Sequence, residues 1–430
     1  MPILSANPMW EMFGQRALSH IIYGAADIGE CVSTVGRVTG DSPEDWYREW
    51  NRTAERLFAA ARMSEDAGHL VSAREAYFRA ATYYRVSYLP LFGDPVDPWL
   101  SGAFACESDA FHRAARLNDF PIEPVEVPFE NQSLPAYFVT PAWDGVKRPT
   151  ILHIDGYDGN IHEMYFAHGP AAARRGYNCL LLDGPGQGRN LIRDRMPMRP
   201  DWECVVKAAV DYLLTRPDVD SERIILAGWS FGGFLAPRAA AFEKRIAALV
   251  ADPGQWDQKP DLRMFHLPPE VAEHFPHVDP TLFDPIEQHL RSPAADPILR
   301  WKVIQRGLWV HGVPSLYDLA CELGRFEISS VASEISCPTL LTAADDDPIA
   351  AGASTLYEAL RCPKRLVHFT AAEGAGGHCE ALSRALYHQR VFDWLDEVVT
   401  AKPLAQAAFP ETPLLRQRSA IKLVHTSHLD

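Results

Sequence analysis

Residues 223–241 of the chain are RIILAGWSFGGFLAPRAAA. The apolar run at the start of this segment predicts a strand, and a helix is predicted to begin near Phe231. The GWSFG turn between them, residues 228–232, fits Gly-x-Ser-x-Gly, in which the glycines leave room for a sharp, strained serine. The bare pattern occurs by chance in about one chain in ten of this size. Its position between a strand and a helix predicts that Ser230 is a nucleophile.

The composition is that of an ordinary globular protein. Of 430 residues, 47% are apolar and 23% are charged, which is typical of soluble domains. The length favours two or three structural units with a sizeable core. The net charge of -15 argues against non-specific binding to nucleic acid.

The eight cysteines and the N-terminus bear on the location of the protein. The cysteines form no C-x-x-C pair, and several lie in apolar runs, such as Cys179 in NCLLLD. This pattern predicts reduced, buried thiols in a cytoplasmic protein. The first residues, MPILSANPMWEMFG, lack a basic region followed by an apolar run, and no run of 18 apolar residues exists. We therefore predict neither a signal peptide nor a membrane span.

Residues 1–120 are predicted to form an N-terminal helical domain. SPEDW, from Ser42, has the N-cap serine, proline and acidic first turn of a helix start, and a second helix is predicted after Gly68. An aromatic stripe follows at helical spacing: Tyr77, Tyr84, Tyr88 and Phe92. Such a stripe usually belongs to a core; the alternative is that it lines a substrate pocket. The aromatic content also suggests a homodimer.

Residues 121–254 and 337–400 are predicted to form an α/β core. The expected strands lie near residues 123–129, 134–140, 149–154, 177–183, 224–227, 246–254, 339–343 and 365–370. Their alternation with helices predicts a mostly parallel, doubly wound sheet covered on both faces. Residues 255–336 are predicted to be a helical lid insertion over the carboxyl ends of the strands, and residues 401–430 a C-terminal extension.

A serine nucleophile needs a base that is itself oriented by an acid. In an α/β-hydrolase sheet these partners follow the serine in the order acid, then histidine. The acid is expected in ADDDP: counting three positions from Ala344, at the end of the strand, gives Asp347, with Asp346 and then Asp345 as alternatives. The base is expected to be His378, in the glycine-rich loop GAGGHCE after the last strand.

Acyl transfer also needs donors for the developing oxyanion. The backbone N–H of Phe231, directly after the nucleophile, is one candidate. The second is expected in the loop DGYDG after strand 149–154, where Tyr157 is the best candidate.

We predict neither a cofactor nor a metal. DGPGQG at 183–188 lacks the spacing of a dinucleotide fingerprint. His153 lies on a strand and is predicted to be a core or sheet-edge residue. Three histidines of the insertion show no metal-ligand spacing: His266, His274 and His277.

The N-terminal helices, DGYDG, DGPGQG, GWSFGG, the insertion and GAGGHC together resemble one branch of the α/β-hydrolases. That branch is typified by 2,6-dihydroxypseudooxynicotine hydrolase and the fungal polyketide-shortening hydrolases of the yellowish-green-1 type. The resemblance covers residues 40–400 and implies Ser230 as nucleophile, Asp347 as acid and His378 as base. Residues 343–344 are Ala-Ala where many relatives carry His-Gly.

The resemblance implies cleavage of a carbon–carbon bond next to a ketone in a small aromatic or polyketide-like substrate. An esterase, thioesterase, peptidase or acyltransferase with the same three residues is the alternative. A non-catalytic interaction protein built on the helical domain is a third hypothesis, from another class.

Overall fold

The computed structural model describes residues 2–258 and 269–399. Its centre is an eight-stranded sheet in the order β1-β2-β4-β3-β5-β6-β7-β8. The strands are β1 Ile122–Phe129, β2 Gln132–Val139, β3 Arg148–Ile154, β4 Asn178–Leu182, β5 Val219–Trp229, β6 Ile246–Asp252, β7 Thr339–Ala344 and β8 Lys364–Phe369. The predicted C-terminal extension, 401–430, lies outside the described residues.

The sheet is antiparallel at one edge and parallel elsewhere. Strand β2 pairs antiparallel with β1 and β4, whereas β4, β3, β5, β6, β7 and β8 run parallel. All five residues of β4 are buried, as expected for a strand covered on both faces. The predicted mostly parallel α/β sheet is confirmed. Because parallel strands end at one edge, the loops after β3, β5, β7 and β8 meet there.

Five helices precede the sheet: α1 Pro8–Ser19, α2 Ile28–Val35, α3 Pro43–Asp66, α4 Leu70–Ser87 and α5 Pro98–Arg116. Helix α3 begins as predicted, since the Ser42 side chain accepts hydrogen bonds from the N–H groups of Glu44 and Asp45. Helix α1 had no sequence prediction, although Asn7 caps it in the same way and Pro8 is its first residue. That capping pattern is a signal that could have located it.

The N-terminal helices share one hydrophobic core with the sheet. The rings of Phe78 on α4 and Phe166 on α6 lie edge to face, with centroids 5.2 Å apart. All four residues of the predicted aromatic stripe are buried. Tyr77, on the inner face of α4, is fully buried, and Phe92 contacts the insertion through Trp301, at 5.7 Å between ring centroids. The stripe is therefore core, as the first interpretation held.

The sheet is covered by α6 Ile161–Arg174, α7 Gly188–Ile192, α8 Glu203–Leu214, α9 Gly232–Phe242, α15 Ala353–Ala359 and α16 Arg384–Val399. The insertion contains α10 Pro269–His274, α11 Asp284–Arg291, α12 Pro297–Arg300, a π-helix Trp301–Gly307, α13 Leu308–His311 and α14 Leu316–Leu323. It has a small hydrophobic cluster of its own around Phe283 and Leu290. Trp301 joins it to the N-terminal part, because the indole N–H donates to the Leu89 carbonyl at 2.8 Å.

Two expectations need correction. The strand before the elbow begins at Val219, earlier than the apolar run indicated. Cys106 and Cys204 are exposed, whereas Cys179 is buried as predicted. Within the described ranges, no helix has both the length and the apolar character to cross a membrane.

Candidate active site

The turn after β5 has the geometry of a nucleophile elbow. Ser230 has a φ of 57°, a left-handed conformation that a residue with a side chain adopts only when its surroundings enforce it. Its N–H donates to the Asp252 carbonyl at 2.6 Å, and its carbonyl accepts from the N–H of Gly233 at 2.8 Å. A Cβ on Gly228 would lie 1.9 Å from the carbonyl oxygen of Gly232. The close approach of β5 and α9 therefore requires glycine at this position.

Ser230, His378 and Asp347 form one chain of hydrogen bonds. The Ser230 Oγ lies 2.8 Å from His378 Nε2, and His378 Nδ1 lies 3.0 Å from Asp347 Oδ2. The carboxylate orients the imidazole with its proton on Nδ1, which leaves Nε2 to accept the serine proton. The Asp347 side chain is buried, whereas that of His378 is 39% exposed. The arrangement can remove a proton from Ser230, and the His378 side chain is partly exposed to solvent.

The three consecutive aspartates after β7 have different surroundings. Asp347 Oδ1 also accepts from the N–H of Ile349 at 3.0 Å, so it caps the following turn as well. Asp345 points elsewhere: its carboxylate lies 2.8 Å from His368 Nε2. Asp346 has a φ of 62° at the bend. Of the three candidate acids, the structure brings Asp347 to His378.

Two N–H groups beside Ser230 are free to bind an oxyanion. Neither the backbone N–H of Phe231 nor that of Tyr157 has an acceptor among residues 2–258 and 269–399. The loops that carry them touch, because a Cβ on Gly156 would lie 2.7 Å from the Ser230 Cβ. The structure therefore brings the loop that carries Tyr157 against the nucleophile, and the missing side chain at Gly156 allows this contact; the role of the two N–H groups as oxyanion donors stays a prediction.

Gln187, which no sequence pattern predicted as a site residue, holds this loop by hydrogen bonds. The buried Gln187 side chain donates from Nε2 to the carbonyl oxygens of Asp155 at 2.8 Å and Gly156 at 2.9 Å. Its Oε1 accepts from the N–H of Gly184 at 3.0 Å. DGPGQG thus braces the loop that holds Tyr157. In the sequence, this motif was tested as a nucleotide-binding pattern and contributed to the family resemblance, but no role was predicted for Gln187, the amide between its glycines.

Behind the nucleophile lies a buried acidic residue that sequence analysis also missed. Glu380 is 1% exposed, and burial, reinforced by the Asp252 carboxylate, raises its pKa to about 10. It is therefore uncharged at neutral pH. The adjacent Cys379 Sγ lies 3.4 Å from His378 Nε2, but burial raises the pKa of this thiol well above its ordinary value. Cys379 thus stays protonated and is a poor nucleophile.

A cluster of aromatic rings lies beside the two candidate donors. The Tyr157 ring lies edge to face with Phe231 at 5.1 Å between centroids and 5.3 Å from the His311 ring. Phe326, from the insertion, lies 5.5 Å from Phe231. His311 is buried, and burial lowers its pKa to about 3, so the ring is neutral. These residues form an aromatic cluster next to Ser230.

His153 lies apart from this chemistry. His153 is buried on β3 and stacks on His168 at 4.2 Å between ring centroids, which makes it a core residue rather than a sheet-edge residue. Burial lowers the pKa of His153 to about 3. His266 lies outside the described residues. In the part of the chain that the structure describes, no three His, Cys, Asp or Glu side chains are grouped to hold a metal ion.

The fold and the elbow define the class of protein. A model of the alpha/beta hydrolase family matches residues 156–392, and a model described as esterase FrsA-like matches residues 25–254. Each match covers more than half of the chain. The chain belongs to the alpha/beta hydrolase family.

Several relatives match nearly the whole chain. Hydrolase LUC6 of Fusarium sp is 31% identical over 89% of this chain and 94% of its own length. The 20-hydroxy-prefusarin hydrolase FUS2 of Gibberella moniliformis is 31% identical over 90% of this chain and 96% of its own. The crystal structure of 2,6-dihydroxy-pseudo-oxynicotine hydrolase covers 90% of this chain and 97% of its own, with a TM-score of 0.70 and 22% identity. That structure shares the fold, including the N-terminal helices. The protein is accordingly an enzyme of the hydrolase class, which excludes the non-catalytic hypothesis.

Proposed function

We propose that the protein is a serine-dependent acyl hydrolase that cleaves a carbon–carbon bond next to a ketone in a small aromatic or polyketide-type substrate. The observation that carries the proposal is the hydrogen-bonded chain from Ser230 through His378 to Asp347, beside two free N–H groups. These are the parts that acyl transfer through a covalent intermediate requires.

In the first step, His378 Nε2 takes the Ser230 proton while Oγ attacks the substrate carbonyl carbon. The carbonyl π electrons move to oxygen, and the N–H groups of Phe231 and Tyr157 bind the resulting oxyanion. Asp347 stabilises the imidazolium that forms. Since the elbow and the loop are held by glycine contacts and by Gln187, these donors are in place before the charge develops.

When the tetrahedral intermediate collapses, the bond between the carbonyl carbon and its neighbouring carbon breaks and the acyl group stays on Ser230. The leaving carbon takes the electron pair and accepts a proton from His378. Only a carbanion stabilised as an enolate or by a phenolic ring leaves at a useful rate, which points to β-dicarbonyl or aryl ketone substrates. Water, activated by His378, then hydrolyses the acyl-enzyme. The partly exposed Tyr157 ring, which packs on Phe231 beside Ser230, favours a flat, unsaturated ligand.

The substrate class is further supported by a relative. FUS2 is named as a hydrolase of 20-hydroxy-prefusarin, a small molecule, and it matches this chain along 90% of its length. We infer that this chain also acts on a small molecule.

An ester is the second candidate for the bond that is broken. The match of residues 25–254 to a family described as esterase FrsA-like favours it. Chemically the two reactions differ only in the leaving group. An alkoxide leaves more easily than an enolate, and either one is protonated by His378.

A fluorophosphonate probe tests the proposed mechanism. It should label the wild-type enzyme at Ser230, and labelling should vanish in Ser230→Ala. Ser33→Ala, a change of the same kind on α2, is the control and should label normally. A wild-type protein that resists labelling would refute the mechanism.

The bond type is tested by turnover of paired substrates. Aryl β-diketones and p-nitrophenyl esters are compared at equal concentration, with the diketone products identified by mass spectrometry. We expect diketone cleavage that depends on Ser230. Rapid ester hydrolysis without diketone cleavage would replace our first candidate by the second.

A further inference from the structure

Five charged side chains lie together directly beside the loop that carries Tyr157. We call them the Asp158 cluster, and its members are Arg16, Arg85, Asp158, Glu163 and Arg306. The members come from the N-terminal helices, from the sheet region and from the insertion. Arg306 and its partner Asp158 are 148 positions apart in sequence.

Asp158 is the member that joins the N-terminal helices to the insertion. Its Oδ1 accepts from Arg16 Nη1 at 2.9 Å, and its Oδ2 accepts from Arg306 Nη1 at 2.8 Å. Arg16 lies on α1, and Arg306 lies on the π-helix of the insertion. One carboxylate thus binds two separate parts of the chain, and it directly follows the Tyr157 peptide.

The backbone of the same residue is also held. Arg85, on α4, donates to the carbonyl oxygen of Asp158 and lies 3.3 Å from Glu163 Oε2. Glu163 in turn accepts from Arg16 Nε at 2.8 Å and is 2% exposed. Both the side chain and the backbone carbonyl of Asp158 are therefore hydrogen-bonded to helices outside the α/β core.

The Tyr157 side chain is bound to the same group. The Arg306 guanidinium lies over the Tyr157 ring, 4.6 Å from its centroid, which is a favourable cation–π distance. The Tyr157 ring also contacts the ring of Phe231, the residue that carries the other candidate donor. Arg306 thus contacts both residues of the Tyr157–Asp158 pair.

The charges favour a permanent interaction at neutral pH. Burial acts to raise the pKa of Asp158, but the positive charges of Arg16 and Arg306 outweigh it, and the pKa lies below its ordinary range. The cluster holds three cations and two anions, so it is net positive beside the site where an oxyanion would form. Buried ion pairs by themselves contribute little to the free energy of folding. A gain in stability therefore does not explain why the Asp158 cluster lies beside the Tyr157 loop.

We infer that Asp158 is a positioning residue: by bridging Arg16 and Arg306, it holds the Tyr157 N–H where the oxyanion forms, and it makes that donor depend on docking of the N-terminal helices and the insertion. This inference rests on the proposed serine mechanism. Arg306 is its partner from the insertion. Asp158 itself touches no reacting atom.

The test is the rate of fluorophosphonate labelling, separated into the maximal rate and the half-saturating concentration. Arg306→Gln keeps a polar, unbranched side chain but shortens it and removes its charge. We expect it to lower the maximal rate at least tenfold, towards the hundredfold to thousandfold that loss of an oxyanion donor costs. The half-saturating concentration should change less than twofold. Arg306→Lys, which retains the charge, should restore most of the rate, and Asp158→Asn should resemble Arg306→Gln.

A double variant and a matched control distinguish positioning from folding. Asp158→Asn with Arg306→Gln should lose less rate than the product of the two single losses, because both single variants remove the Asp158–Arg306 pair. Arg148→Gln breaks another Arg–Asp pair, with Asp144 at the opposite end of β3, and should label at the wild-type rate. If Arg306→Gln and Asp158→Asn lower the melting temperature but label at the wild-type rate, the inference is wrong while the serine mechanism stands. An unlabelled wild type would overturn both.

Discussion

The sharpest test of the site is Asp347→Asn, which changes one charge and almost no volume. The Asp347 carboxylate is 3.0 Å from His378 Nδ1, and its side chain is 1% exposed. Two unit charges about 4 Å apart interact by about 4 kcal/mol at an effective dielectric constant of 20. Since His378 is partly exposed, solvent reduces this to about 3 kcal/mol, which corresponds to roughly a hundredfold in rate.

The same substitution also disturbs the tautomer. An asparagine amide can donate to Nδ1, which would place the imidazole proton on Nε2 and leave no acceptor for the Ser230 hydroxyl. This effect adds to the lost charge, so we expect a loss between a hundredfold and ten-thousandfold. The assay is the second-order rate of fluorophosphonate labelling, together with hydrolysis of a p-nitrophenyl ester.

The neighbouring aspartates serve as matched controls. Asp346→Asn and Asp345→Asn change the same group within two positions, but neither carboxylate contacts His378. We expect both to label within threefold of the wild type. The assignment of the acid would be wrong if Asp347→Asn kept more than a tenth of the wild-type labelling rate while Asp345→Asn or Asp346→Asn kept less than a tenth.

Three further outcomes follow from the packing. Gly156→Ala places a Cβ 2.7 Å from the Ser230 Cβ, and labelling should slow at least tenfold with an unchanged circular dichroism spectrum. Trp301→Ala removes a buried ring and its hydrogen bond to Leu89, and urea unfolding should show a loss of about 3 to 5 kcal/mol. Glu380→Gln should remove a pH dependence of stability. Folded Glu380 keeps a proton that the unfolded chain releases, so its stabilisation is complete below about pH 4.5 and is lost as pH rises towards about 10. The free energy of unfolding from urea titrations should fall in the wild type as the pH rises from 6 to 9, by at most about 1.4 kcal/mol per pH unit, and should fall less in the variant.

Each outcome has a result that contradicts it. If Gly156→Ala labelled at the wild-type rate, the Gly156 loop and the Ser230 turn could move apart without affecting the reaction. A loss below 1 kcal/mol in Trp301→Ala would mean that the insertion does not depend on this contact. Parallel pH curves for the wild type and Glu380→Gln would mean that Glu380 is ionised in the folded protein.

Much of the fold follows from local sequence patterns. Each of the eight predicted strands overlaps an observed one, because buried strands in a parallel sheet are short apolar runs bounded by turn residues. Helix α1 was missed because its capping residues, Asn7 and Pro8, were not recognised within a mixed segment. The early start of β5 was missed because Asp220, Glu222 and Arg223 interrupt the apolar run.

The sequence by itself determined where the elbow lies and in which order its partners follow, since both depend on local turn chemistry and on the order of parallel strands. Tertiary structure decided which aspartate meets His378, because at a bend such as Asp346 a side chain's direction depends on backbone angles that composition does not specify. Tertiary structure also decided the contacts of Gln187 and of Asp158 with Arg306. Those residues are far apart in the chain and carry no periodic pattern, and they become partners only when the sheet, the helices and the insertion pack together.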